Sequence, residues 1–219
     1  MSNSEATVHL KKTTAAKRQL DTAIRLYFAH DDELSIHTLV AAAFRILRDL
    51  IDKRGTDFEA EVLRAGLYAW TKQYRAGTLS EDVSKALKES GLLSVLETIA
   101  DDDDDPSRIR IIRDKTKSRG WPSGPANFLK HANRDADALL AAGDINNEMF
   151  LIGACTAYLE LMHMPSPEMM AFMALWAVEH DAALDGWYEP ARELADRLAS
   201  LKKNVRYRAC AEWVRLMKN

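Results

Sequence analysis

The residues with the most chemical potential crowd into one stretch, Trp121–Asp137, which reads Trp-Pro-Ser-Gly-Pro-Ala-Asn-Phe-Leu-Lys-His-Ala-Asn-Arg-Asp-Ala-Asp. Pro122, Gly124 and Pro125 cannot continue a helix, but Pro125 suits the first turn of a new one. A helix is therefore expected from Ala126 to Ala132. On it Asn127 and His131, four residues apart, share a face, while Phe128 and Ala132 share the neighbouring apolar face that packs inward. An imidazole in that position can move a proton, and Lys130 and Arg134 beside it can meet developing negative charge. Upstream lies a run of six basic residues, Arg108, Arg110, Arg113, Lys115, Lys117 and Arg119, against the single acid Asp114. Such a run gives an anionic ligand, RNA or nucleotide, a local field to follow.

Each candidate has a plainer reading. His131 can equally be a partly buried histidine whose ring nitrogens satisfy the proline-rich turn. Glu160-Leu-Met-His163 has the Glu-x-x-His spacing of a carboxylate-bridged metal bundle, but the other histidines supply no second copy. No metal or cofactor is expected. Cys155 sits among Gly153, Ala154 and Ala157 on an apolar helix, where a thiol behaves as a small hydrophobe, and Cys210 reads the same way. His30, Asp31, Asp32 and His37 gather around a turn, where acids favour the start of the following helix. There is no glycine-rich phosphate loop.

Composition frames these residues without choosing between them. The chain has 219 residues, 47% of them hydrophobic, and a formal net charge of -3. That is enough apolar material for a substantial core, and the overall charge gives no attraction to nucleic acid. The longest charge-free apolar runs, Met149–Leu159 and Met169–Val178, fall well short of the roughly 20 residues a membrane helix needs. No membrane association is expected. The polar start of the chain and its two cysteines fit a reduced, cytoplasmic setting.

The elements that must position the candidate residues all read as helices. Residues 1–12 are a polar tail. Thr13 or Thr14 can cap a helix through Ala16, Leu20, Ile24 and Phe28, and Ser35 a second through Ile36, Val40, Leu47 and Ile51, stopped by Gly55. The two form a hairpin, and Ala41-Ala-Ala43 offers a face that another helix can approach closely. Thr56-Asp-Phe-Glu59 is a capping box for a third helix ending at Gly77, and Ser80 opens a fourth. Residues 101–124, an acid run then the basic run, form a charged loop. Asn146 caps a helix through Met149, Ile152, Tyr158 and Met162, ended by Pro165, and Ser166-Pro167 starts the most buried one. Two more, over 188–201 and 205–217, complete the chain. The expectation is an all-α, up-and-down bundle of seven or eight helices in a single domain spanning 13–219.

The hairpin Ala15–Leu50 followed by Asn-x-x-x-His on a later helix resembles a HEPN domain (higher eukaryotes and prokaryotes nucleotide-binding). That family is all-helical and usually dimeric, and its ribonuclease members carry an arginine, often followed by asparagine, with a histidine four to six residues after the arginine. Here the string is Ala126-Asn-Phe-Leu-Lys-His131. Asn127 and His131 match, Ala126 stands in the arginine's place, and neither Gly124 nor Pro125 supplies one. The resemblance implies a homodimeric regulatory module that binds RNA, nucleotide or a protein partner without catalysis. Its alternatives are a metal-independent endoribonuclease using His131, and a helical protein adaptor.

Overall fold

A computed structural model describes residues 10–58, 70–71, 73–79, 81–89, 93–94, 96–97, 140, 145–180, 182 and 188–218, without the side chains of residues 82, 83 and 86. The protein is an all-α helical bundle, with no strand among the described residues. Seven helices have defined ends: α1 Lys12–Phe28, α2 Glu33–Asp52, α3 Glu81–Glu89, α4 Asn147–Met162, α5 Pro167–Glu179, α6 Glu189–Ala199 and α7 Lys203–Leu216. The chain divides into two compact units. One is Met1–Thr56 with Ser123–Asn219, and the other is Asp57–Pro122.

In the first unit α1 and α2 form the expected hairpin, and α2 also packs against α4. The buried stripe of α1 is Ala16, Leu20, Ala23, Ile24 and Phe28, and that of α2 runs from Ile36 through Val40, Ala43, Phe44 and Leu47 to Ile51. Both follow the helical period, which is why these segments form helices that bury one face. Ala41 and Ala43 are themselves buried within this chain. Helix α5 contacts α1, α4, α6 and α7, and its Met169, Ala171–Leu175 and Ala177 are all buried.

Helix ends depart from the sequence reading where side-chain chemistry decides. Helix α1 begins at Lys12, with neither Thr13 nor Thr14 capping it. Helix α2 is capped by Asp32, whose Oδ2 accepts from Ser35 N at 2.8 Å, so Ser35 lies inside the helix. A carboxylate gains from the helix dipole as well as the hydrogen bond, and so outcompetes a hydroxyl. Asn146 and Ser166 cap α4 and α5 as expected, accepting from Met149 N at 3.0 Å and Met169 N at 3.2 Å. Gly55 and Gly77, at φ 87° and 66°, stand at the expected stops. In the second unit α3 matches the helix expected after Ser80, and Phe58 is buried.

Two buried acids tie the first unit together. Asp21 on α1 accepts from Ser166 Oγ at 2.6 Å and pairs with Lys17 at 2.6 Å. Glu168, fully buried in the first turn of α5, receives both Arg25 Nη1 and Lys218 Nζ on its Oε1. Burial alone raises the Glu168 carboxyl, but the hydrogen bonds from Lys218 and Arg25 outweigh it and hold the carboxyl below its ordinary value.

Candidate functional site: a cleft at the α1–α2 turn

The turn between α1 and α2 closes through backbone bonds: Asp31 N donates to Leu26 O at 3.0 Å and His30 N to Tyr27 O at 3.1 Å. That pairing is a Schellman motif, which needs its second-last residue in the left-handed region. His30 fills the place with φ 52°, where glycine is the usual occupant. Its ring is thereby turned against Tyr207 of α7, with centroids 4.4 Å apart and planes inclined by 36°. Tyr207 also meets Tyr27 of α1, with the rings 5.5 Å apart and the hydroxyls 3.2 Å apart. Phe172 of α5 holds Tyr27 edge-on at 5.5 Å.

On the other side, the first turn of α4 is fastened to the first turn of α2. Asn147 Nδ2 donates to Glu33 O at 2.9 Å, and its Oδ1 lies 3.2 Å from His37 Nδ1. An amide oxygen only accepts, so Nδ1 carries the proton of this contact. Phe150 packs edge-on against the His37 ring at 4.8 Å, which fixes the ring plane.

Between these two fastenings opens a cleft of about 360 Å³. Tyr27, Tyr207 and His30 form its aromatic side; Asp31, Glu33 and Glu148 bring carboxylates; Ile36, Ile145, Asn146 and Asn147 complete the lining. Glu148 Oε1 lies 3.8 Å from His180 Nδ1, whose ring stacks on Trp176. The nearby cations of α7 are engaged elsewhere: Arg206 and Lys203 bind Glu179 at 2.8 and 2.9 Å. Burial, then the hydrogen bond with Tyr207, then the charge of Glu148 push the Tyr27 hydroxyl far above its ordinary pKa. It remains protonated at neutral pH and acts as a hydrogen-bonding group there.

The thiols follow the sequence reading. Cys155 and Cys210 are both buried and free. Burial raises both, Cys210 to about 12, so neither provides a thiolate at neutral pH. His163, the second half of the Glu-x-x-His spacing, ends α4 in the left-handed conformation, and Glu160 is exposed. Among the described residues no group of three or more His, Cys, Asp or Glu side chains converges to hold a metal.

The sequence-derived candidates Asn127, Lys130, His131 and Arg134, and the run Arg108, Arg110, Arg113, Lys115, Lys117 and Arg119, lie outside the described residues. The cleft is a different place. Sequence reasoning found its turn, His30 to Asp32, but read it as a helix exit and entry only. It missed Tyr27, Glu33, Glu148 and Tyr207, which come from four separate helices. Comparison of the chain with protein-family models, curated proteins and solved structures finds no match. Among the described residues no helix is long and apolar enough to cross a membrane.

Proposed function

We propose that the protein is a non-catalytic, HEPN-like regulatory module that works by binding a protein partner, with the cleft at the α1–α2 turn as the contact site. The observation that carries this reading is the state of the cleft's polar groups. The tyrosine hydroxyls are paired with each other, and the Asn147 amide is held by Glu33 O and His37. Groups so fastened suit recognition, because a fixed array loses little freedom when a ligand arrives. The three carboxylates among the lining residues disfavour a phosphate, which turns the reading towards protein and away from nucleotide at this site. Homodimerisation belongs to the same reading through the family resemblance. It draws no support from Ala41 and Ala43, which this chain buries itself.

RNA binding is a second reading, favoured by the six basic residues of the 108–119 run. One experiment separates binding from catalysis: incubation of the purified protein with single-stranded RNA in the absence of divalent metal. The expected result is intact RNA. Cleavage that disappears in His131→Ala would overturn the non-catalytic reading, because it would assign proton transfer to that imidazole.

A further inference from the structure

Resting on that binding reading, we infer that the cleft accepts an organic cation, an alkylguanidinium or alkylammonium group, between its aromatic side and its carboxylates. The volume, about 360 Å³, matches a small-ligand site and suits a single side-chain head group with part of its stem. Charge decides the sign of the ligand. Asp31, Glu33 and Glu148 line the space, and among the described lining residues there is neither Lys nor Arg. The N-termini of α2 and α4 also open here, but each contributes only about half a positive charge. Three carboxylates outweigh them.

Among the described ion pairs, no Lys or Arg is paired with these three carboxylates. Of the basic residues of α7 around Tyr207, Arg206 and Lys203 are spent on Glu179 and Arg208 pairs with Glu212. His180, 3.8 Å from Glu148, is the lone basic side chain that approaches a lining carboxylate among the described ion pairs, and it is itself exposed. Independently of the acids, the Tyr207 ring lies 5.5 Å from Tyr27 and 4.4 Å from His30 at the same opening. Ring faces and edges beside carboxylates are the setting in which guanidinium and ammonium groups are recognised, and Arg exploits both partners at once. Asn147, buried and held on both sides, keeps the two helix N-termini at fixed separation, so the site is preformed.

The test is calorimetric titration of the full chain with three probes: arginine methyl ester, spermidine, and a short unstructured peptide carrying one central arginine. Inorganic phosphate is the control. Binding of the ester or spermidine identifies a free cation as sufficient. Binding of the peptide alone identifies a side chain presented by a partner. Either result supports the inference if Glu33→Gln and Glu148→Gln each weaken it by about tenfold, the loss of one charge-assisted contact. Melting temperature and helical circular dichroism report whether the variants stay folded. Failure of all three cations, or binding by both Gln variants as tight as by the parent, overturns the inference. A partner protein that binds the chain but is indifferent to both Gln substitutions would leave the binding-module reading standing and remove the cation site alone.

Discussion

The hydroxyl of Tyr27 lies 3.2 Å from that of Tyr207, although 180 residues separate them. The contact joins α1 to α7 at the mouth of the cleft. One hydroxyl donates to the other, and burial with this bond keeps the Tyr27 group protonated. Removing either oxygen costs one neutral hydrogen bond and leaves both rings in place. Tyr27→Phe and Tyr207→Phe should each lower unfolding free energy by about 1 kcal/mol in urea titrations, and the double variant by less than the sum. Additive losses would mean that the hydroxyls do not interact.

Position 30 separates backbone strain from ring contact. A side chain in the left-handed region costs roughly 1–2 kcal/mol relative to glycine, and the tilted ring contact with Tyr207 returns about 0.5–1.5 kcal/mol. His30→Ala keeps the strain and loses the ring, whereas His30→Gly loses both. The glycine variant should therefore be more stable than the alanine variant by about 1 kcal/mol. Equal melting temperatures for the two would contradict a left-handed residue at this turn.

Ser166 has two duties with one hydroxyl, accepting from Met169 N and donating to Asp21 Oδ1. Ser166→Ala removes a helix cap and leaves a buried carboxylate short of a donor. A loss of about 2–3 kcal/mol is expected, larger than that of Asp32→Ala, where the cap is exposed. Chemical denaturation of the two variants side by side checks the ranking.

Glu168 gives a pH signature. Its carboxyl is held below the ordinary value in the folded protein, so its contribution to stability is complete above the ordinary carboxylate range. It is lost as pH falls through the lowered folded value, because the unfolded chain takes up the proton first. Glu168→Gln should be clearly less stable than the parent at about pH 7, and the gap should narrow at about pH 3. A gap that stays constant between the two conditions would show that the ionised form contributes nothing.

The basic run makes a prediction for RNA. If Arg110, Arg113 and Lys117 neutralise phosphates, log affinity should fall with log salt by a little under one unit per contact. Changing the three to Ala should flatten that slope. Binding that is absent or insensitive to salt in the parent removes the RNA reading and leaves the protein-partner one.

Much of the bundle was legible because its signals are local. Asn146 and Ser166-Pro167 announce helix starts with side chains that reach only three residues ahead. Asp32 was passed over for Ser35 because both fit the pattern, and the carboxylate's advantage is electrostatic, which spacing does not reveal. Helix α4 is apolar nearly all round, so periodicity could not say which side faces in. Met149 and Met162, read as core, are exposed, while Phe150, Leu151 and Leu161 are buried. The cleft was illegible for a tertiary reason. Nothing near Tyr27 in sequence points to Tyr207, and only the packing of α1 against α7 brings them together.

Arg25 and Lys218 meet on one oxygen of Glu168, and this has an evolutionary consequence. Glu168 is fully buried while Arg25 and Lys218 are each about half exposed, so the carboxylate is the member that cannot be left unpaired, whereas exchanging the whole set for apolar residues can be nearly neutral. Loss of both cations is thus blocked while Glu168 stays, and opens only when 168 changes with them. Among descendants of this chain the three positions should be inherited as a trio, charged together or apolar together. That correlation would survive even where the cleft and its occupant have been lost.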